Sequence, residues 1–208
     1  MLDVTFDAAK YLGEARDKFY KEFNNTYMIN TSKFEIKGAS MKIIEIIKKI
    51  EQDSNCRLVK RITDFTSDLV LPKDLHYFFS NYDSLQMFLD KPYGIKIVSS
   101  NEFIPTSKRL YPEDDVIWEE LEDDISNDWY LIAESEQINQ YISIDMSKSH
   151  FGYCYDSFLE THATPGDSQI IAKSFTELLE HLYSSKGENW FWLAENFESY
   201  GDAYDDTN

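Results

Sequence analysis

Cysteine and glycine are both scarce in this sequence, and each shortage removes a class of protein. The two cysteines, Cys56 and Cys154, stand far apart in 208 residues, too few for a disulfide framework or a zinc site. The seven glycines form no Gly-x-Gly-x-x-Gly and no phosphate loop, and Gly-x-Ser-x-Gly is absent. Nucleotide-dependent enzymes and serine hydrolases therefore lack support, and we expect no cofactor.

Long apolar runs are missing as well. The first residues, Met1 to Asp7, lack the basic start and the apolar stretch of a signal peptide. No later stretch approaches the roughly 20 apolar residues that a transmembrane helix needs. We therefore expect a cytoplasmic protein that does not contact a membrane.

Basic residues are greatly outnumbered, with 20 Lys and Arg against 38 Asp and Glu and a formal net charge of -18 at pH 7. This charge argues against direct binding to nucleic acid phosphates or to an anionic membrane, because both are negative themselves. It favours a partner protein with a basic surface.

The acidic residues are concentrated in one part of the chain. Residues 110–147 contain no lysine or arginine, and most of their carboxylates precede Trp129. One interpretation is a solvated face that keeps the protein soluble, and the other is a surface that speeds association with a basic partner. We expect Trp118, which lies within this acidic run from Glu113 to Asp128, to be exposed. The predicted partner-binding residues are Glu113, Asp114, Asp115, Trp118, Glu119, Glu120, Glu122, Asp123, Asp124 and Asp156.

Catalytic and metal sites have weak support. Asp145, His150 and Asp156 would be an acid and base set if they met within hydrogen-bond reach, but their spacing suits many non-enzymes. We expect His150 to be an exposed turn residue. The carboxylates do not follow the Asp-x-Asp-x-Asp-Gly calcium loop, and no His-Glu-x-x-His occurs. The sequence therefore predicts no catalytic residues and no metal ligands.

Three amphipathic helices are predicted. Ser174 and Glu177 form a capping box, in which Ser174 accepts from the Glu177 amide and the Glu177 carboxylate accepts from the Ser174 amide. Phe175, Leu178, Leu179 and Leu182 then share one face. Ser40 is the predicted N-cap of an earlier helix, and Pro72 suits the first turn of another. The apolar stripe of the first helix consists of Ile43, Ile46, Ile47 and Ile50.

Strand and turn signals complete the outline of the fold. Ile142 and Ile144 alternate with polar residues at period two, which predicts a strand. Leu85–Phe88 and Ile95–Val98 are further strand candidates, and Ser80–Ser84 is predicted to be a turn. We predict an α+β fold with a central, mostly antiparallel sheet flanked by helices and an N-terminal helical extension. The predicted segments are an extension and connector (1–38), the domain (39–193) and an acidic tail that frays (194–208).

The order of several short motifs resembles the SUKH superfamily, whose members carry Smi/Knr-type domains. The resemblance covers roughly residues 57 to 193 and rests on order and spacing more than on any single motif. Its motifs are Leu71-Pro72-Lys73-Asp74-Leu75, Trp129-Tyr130-Leu131-Ile132-Ala133, Tyr141-Ile142-Ser143-Ile144-Asp145, Gly152-Tyr153-Cys154-Tyr155-Asp156 and Ile171-Ala172-Lys173-Ser174-Phe175. The chain departs from the pattern at Asn81, which lacks the glycine of the usual Asn-Gly turn.

The resemblance implies a protein-binding module without catalysis. Many SUKH proteins are cytoplasmic immunity proteins beside secreted bacterial toxins that are often nucleases. The resemblance therefore implies an antitoxin that neutralises a cognate toxin with a basic surface. The alternative is a regulatory scaffold without a toxin partner, as in fungal members, and an enzyme is third. A role in the fold is carried over to Leu71, Pro72, Trp129, Ile144, Gly152 and Phe175.

Overall fold

The computed structural model describes residues 33–135 and 139–205, with side chains from Met41 onward, and shows an α+β fold around one antiparallel sheet. Each strand pairs with the next along the chain, so the sheet is a meander in the order β1 to β7. This confirms the predicted fold class. The strands are β1 (Cys56–Lys60), β2 (Tyr82–Met87), β3 (Ile95–Ile97), β4 (Trp129–Ser135), β5 (Gln140–Asp145), β6 (Cys154–Asp156) and β7 (Ile170–Ala172).

Helices of two types occur in the described ranges. The α-helices are α1 (Lys33–Glu51), α2 (Lys73–Asn81), α3 (Thr106–Leu110), α4 (Asp115–Glu120) and α5 (Phe175–Ser185). Short 3-10 helices cover Ile125–Asp128 and Phe191–Leu193. None of these helices has the length and apolar content that crossing a bilayer requires.

The chain divides into two units, residues 1–39 and residues 40–208. Of the first unit, the structure describes only the beginning of α1. Apart from the first residues of α1, the predicted N-terminal helical extension lies outside the described residues and stays a prediction, as do the predicted segment boundaries. The predicted N-cap at Ser40 is wrong, because the helix already includes Lys33. Lysine, glutamate and alanine between positions 33 and 39 are good helix formers, which outweighs the capping preference of Ser40.

One face of the sheet carries the main core. The isoleucine stripe of α1 is buried there, together with the apolar face of α2 and that of α5. Phe78 of α2 meets Phe175 of α5 edge to face, with ring centroids 5.2 Å apart. The predicted helical faces are thus the faces that pack on the sheet.

The opposite face of the sheet is covered as well, which the alternating pattern of β5 does not predict. All six residues of β5 are buried. Tyr141 packs with Leu131 and Leu110 of α3, while Trp129 and Tyr155 pack with Ala203. The buried Ser143 hydroxyl donates a hydrogen bond to Thr106 Oγ1 at 2.8 Å, so it has a partner within the fold. The sheet is therefore a middle layer, because the segments before β4 and after the last helix lie on its second face.

The helix α2 passes directly into β2, so the turn predicted at Ser80–Ser84 is wrong. Asn81 ends the helix, and Tyr82 already has extended dihedrals of φ -133° and ψ 147°. The backbone changes from helical to extended dihedral angles between Asn81 and Tyr82, and this change does not need a glycine after Asn81. The strand β2 then ends before Phe88, whose φ is 54°.

The fraying predicted for the acidic tail is wrong as far as Asp205. The Ile170 amide donates to the Gly201 carbonyl at 2.9 Å, and the Ala203 amide donates to the Ser168 carbonyl at 2.9 Å. Ala203 is fully buried. The tail is held because it adds backbone hydrogen bonds beside β7 and covers the second face of the sheet.

The six positions to which the resemblance assigns a role in the fold are all buried. Two of them touch, although 80 residues separate them in sequence. Gly152 has φ +91°, and a Cβ built on it would lie 3.4 Å from Pro72 Cγ. Glycine suits this position because an L side chain rarely adopts that dihedral angle, whereas the proline ring itself would only be in ordinary van der Waals contact with a Cβ.

Candidate partner-binding surface

The acidic run, from Glu113 to Asp128, is a structured segment at the surface of the fold. It consists of α4, a turn and the 3-10 helix Ile125–Asp128. No Lys or Arg occurs in these sixteen positions. The run therefore presents one sign of charge to solvent. Its exposed carboxylates are those of Glu113, Asp115, Glu119, Glu120, Glu122, Asp123 and Asp128.

Two carboxylates of the run are half-buried and cap helices. Asp114 Oδ1 accepts from the Ile117 amide at 3.1 Å, at the start of α4. Asp124 Oδ1 accepts from the Ser126 amide at 2.8 Å and from the Tyr204 hydroxyl at 2.7 Å. Burial and the Asp124 carboxylate raise the pKa of Tyr204. These two residues shape the run, whereas the exposed carboxylates are free to meet a partner.

Trp118 is half-buried, so the prediction that it is exposed is wrong. Its Nε1 is buried and has no hydrogen-bond partner within the described ranges. Lys108 Nζ of α3 lies 5.5 Å from the indole centroid, in a cation–π contact. The large apolar side chain that α4 exposes is Val116, with 64% of its surface accessible. A helix of six residues is too short for sequence periodicity to tell these two positions apart.

An ion pair between a half-buried arginine and a buried carboxylate holds α3, which precedes the run. Arg109 places Nη2 2.9 Å and Nε 3.1 Å from Glu134 Oε2, on the neighbouring strand β4. Lys96 Nζ of β3 lies 3.6 Å from Glu134 Oε1. Only 4% of the Glu134 side chain is accessible. The stretch 110–147, which has no lysine or arginine, therefore includes Glu134, an acidic residue whose charge is neutralised by cations from outside the stretch. A count of charges along the sequence does not reveal this.

Asp156 lies on β6 rather than in the acidic run, and its carboxylate is engaged within the fold. Its Oδ1 accepts from Gln140 Nε2 at 2.6 Å, and its Oδ2 accepts from Trp192 Nε1 at 2.9 Å. Burial raises its pKa, against these hydrogen bonds. The predicted partner-binding residues are thus distributed over two places, and their role stays a prediction.

Asp156 borders an open groove of about 790 Å³, which sequence reasoning did not find. Two further carboxylates, those of Asp167 and Asp202, also line it. The side chains of Trp190 and Leu193 supply apolar lining. The groove assembles residues from β5, β6, the loop before β7 and the tail, so no local signal predicts it.

The structure does not bring Asp145, His150 and Asp156 together. Asp156 pairs with Ile142 across the sheet, and Asp145 is three residues further along β5. Because side chains alternate along a strand, the two carboxylates lie on opposite faces. Asp145 Oδ2 instead accepts from the Tyr155 hydroxyl at 2.6 Å. His150 is half-buried beside the Tyr153 ring, at 5.1 Å between centroids, so the prediction that it is exposed is wrong.

Metal binding finds no support in the described part of the chain, where no group of three or more His, Cys, Asp or Glu residues is placed to hold an ion. The two cysteines there are free thiols. Burial raises the pKa of the Cys56 thiol to about 11. The Cys56 thiol therefore stays protonated at neutral pH.

His162 is a buried histidine beside the acidic run. Its ring meets Trp129 edge to face at 5.8 Å, and neither ring nitrogen has a hydrogen-bond partner within the described residues. Burial lowers the pKa of His162 to about 4, against the opposing charge of Asp124. The folded protein therefore disfavours the protonated ring.

We expect this histidine to make the fold acid-sensitive. The pKa of His162 in the folded state lies below its unfolded value of about 6.5. The contribution of the neutral ring to stability is therefore complete above pH 6.5 and is lost as the pH falls towards 4. Between pH 7 and pH 5 the unfolding free energy should fall by about 2 kcal/mol more in the parent than in His162→Phe. Urea unfolding at both pH values measures this. The exposed-site control His76→Phe should behave like the parent, and an unchanged pH dependence in His162→Phe would contradict the assignment.

Comparison with known proteins identifies the family. Residues 44–181 match the model of the SMI1 / KNR4 family (SUKH-1). The chain is also 35% identical over 167 residues to immunity protein YokJ of Bacillus subtilis (strain 168), and this alignment covers 79% of the chain and 97% of the relative. No solved structure matches the chain. The resemblance deduced from the sequence motifs is confirmed, and the chain belongs to the SMI1 / KNR4 family (SUKH-1).

Proposed function

We propose that this chain is a cytoplasmic immunity protein that binds a cognate toxin and neutralises it without catalysis. The toxin is a nuclease, and the acidic run covers the basic surface with which the nuclease holds its substrate. The carboxylates then occupy positions that substrate phosphates would take. The relative YokJ is named an immunity protein, and it aligns over nearly its whole length, which supports the role.

The observation that carries the mechanism is the exposure of the acidic run. Seven carboxylates within sixteen residues face solvent, and the segment is held in place by two helix caps. Two like charges 10 Å apart in water repel by about 0.4 kcal/mol, so clustering them costs stability. A basic partner removes this repulsion on binding. A concentrated field of one sign also raises association rates by about 10- to 1,000-fold at low salt.

The first experiment identifies the partner. A tagged copy is expressed in the native host, and the proteins that it retains at moderate salt and loses at high salt are identified by mass spectrometry. We expect a basic toxin domain whose expression stops growth and whose toxicity the chain suppresses. Capture of regulatory proteins without any toxin would contradict neutralisation and favour a scaffold.

The second experiment tests the acidic run with the captured toxin. The variant Glu119→Gln/Glu120→Gln/Asp123→Asn removes three exposed charges and leaves the capping residues Asp114 and Asp124 intact. We expect the association rate to fall about tenfold at low salt, with a weaker dependence on ionic strength, because the attractive field is reduced. Stopped-flow or surface-binding kinetics measure both quantities.

A matched control separates the position of the charges from their number. Asp64→Asn/Asp68→Asn/Asp90→Asn also removes three exposed carboxylates, all outside the run. It should bind nearly as fast as the parent. Equal losses in the two variants would mean that net charge alone matters, and no loss in either would exclude the electrostatic mechanism while leaving the immunity role intact.

A further inference from the structure

The groove beside Asp156 has a negatively charged lining, and no basic residue of that lining, among the described residues, neutralises the charge. Its carboxylates are those of Asp156, Asp167 and Asp202, and none of the described residues that line it is Lys or Arg. Lys173 lies nearby, but its Nζ is held over the Tyr200 ring, 4.3 Å from the centroid. The groove therefore keeps a net negative charge.

The three carboxylates differ in how far the fold already satisfies them. Asp156 is bound on both oxygens by Gln140 and Trp192. Asp202 Oδ1 accepts from the Tyr204 amide at 3.0 Å, whereas Oδ2 is buried with no hydrogen-bond partner in the described ranges. Asp167 is exposed. A buried acceptor without a donor costs about 1–3 kcal/mol, so the half-buried Asp202 side chain gains if it turns to present Oδ2 to a donor in the groove.

The apolar lining restricts the kind of cation that fits. Leu193 is 69% exposed although it is a large aliphatic side chain, and the largely buried Trp190 borders the groove beside it. A bare inorganic cation would leave this surface in contact with water. Arginine offers an aliphatic stem for the leucine and a planar group with several donors for the carboxylates.

We propose that the groove receives an arginine side chain from a loop of the toxin, with the guanidinium between Asp167 and Asp202 and the stem along Leu193. This inference rests on the proposed function, since it names the contact by which the toxin is recognised. The groove adjoins the acidic run, because Tyr204 hydrogen-bonds Asp124 and lies two residues from Asp202. The run speeds the approach of the toxin, and the groove holds one of its arginines.

The test uses a pair of isosteric double variants of equal charge change. Asp167→Asn/Asp202→Asn removes two groove charges and keeps the Oδ1 acceptor for the Tyr204 amide. Glu119→Gln/Glu120→Gln removes two charges from the run. With the captured toxin, we expect the groove variant to raise the dissociation rate at least tenfold and the run variant to lower mainly the association rate. Equal dissociation rates in the groove variant and the parent would overturn the proposal.

A second measurement does not depend on the toxin. N-acetyl-arginine amide is titrated into the ¹⁵N-labelled full chain, and the amide resonances of Gly166, Gly201 and Asp202 and the indole resonance of Trp192 are followed. We expect saturable shifts confined to these groups in the parent and in the run variant, and none in the groove variant. Shifts that localise to the acidic run or spread evenly over the surface would also overturn the proposal.

The two measurements separate the failure of this inference from the failure of the proposed function. If the chain captures no toxin but the arginine probe saturates the groove, the immunity role fails together with the toxin as the source of the arginine, whereas the arginine specificity of the groove stands. If the chain neutralises a toxin and the groove variant binds it like the parent, only the groove assignment fails.

Discussion

Replacing Asp74 with alanine is expected to lower the free energy of unfolding by about 3 kcal/mol. Asp74 is 8% exposed and joins α2 to α5 through Thr176, which lies 102 residues further along the chain. Its Oδ2 accepts from the Thr176 amide at 2.8 Å and from the Thr176 hydroxyl at 2.9 Å, in the first turn of α5. Its Oδ1 accepts from the Leu75 amide at 3.0 Å. The alanine variant leaves these donors buried and unpaired.

The measurement is urea unfolding followed by circular dichroism at pH 7. Asp74→Asn should lose less than the alanine variant, because its Oδ1 still accepts one of these hydrogen bonds. The control Asp68→Ala removes an exposed aspartate a few residues away and should change the unfolding free energy by less than about 0.5 kcal/mol. An Asp74→Ala variant as stable as this control would show that the contact between α2 and α5 does not depend on the carboxylate.

Removing both cations around Glu134 is the second change with a large expected effect. The variant Lys96→Met/Arg109→Met keeps the aliphatic volume but leaves the Glu134 carboxylate buried without a counter-charge. Such uncompensated charges cost about 3–5 kcal/mol. We expect a loss near about 3 kcal/mol at pH 7.5, because the half-buried methionines still allow some hydration of the site. Chemical unfolding at several pH values measures the loss.

The pH dependence of this variant distinguishes charge from packing. Without the cations, burial penalises the charged Glu134 carboxylate in the folded state, because no counter-charge remains beside it. The folded variant then binds a proton more readily than the unfolded chain does, so its stability is higher at low pH and falls as the pH rises. The variant should therefore recover part of its loss, relative to the parent, between pH 7.5 and pH 5. The control Lys48→Met/Lys49→Met removes two exposed lysines of α1 and should show neither effect. A pH-independent loss would mean that lost packing, not the charge, destabilises the variant.

Local signals in the sequence were sufficient for the helices that pack on the main core. The Ser174 hydroxyl accepts from the Glu177 amide at 3.1 Å, as the capping box predicts. The Glu177 carboxylate differs in detail, since it accepts from the Lys173 amide at 2.7 Å and not from that of Ser174. The long glutamate side chain can reach the amide of Lys173 as easily as that of Ser174, and the spacing of residues in the sequence does not distinguish between the two amide donors.

The candidate site was predictable only in part. The acidic run is continuous in sequence, so counting charges found it. The capping roles of Asp114 and Asp124 were not separated from the exposed carboxylates, because both depend on the local backbone conformation. The composition of the run predicts an exposed Trp118, whereas Lys108 on the preceding helix lies over the indole ring and helps to cover it. The groove was missed because its lining comes from segments that are far apart in sequence.

The sequence by itself determined the three helices of the main core, three of the strands, the family and the sign of the charge, because each of these depends on neighbouring residues or on composition. The tertiary structure decided which surfaces remain free. It buried both faces of β5, held the tail through Ala203 and neutralised Glu134 with two distant cations. It also left one oxygen of Asp202, at the edge of the groove, without a donor among the described residues. Burial and the satisfaction of charge are set by contacts between segments that are remote in the chain, and the local pattern of residues does not specify those contacts.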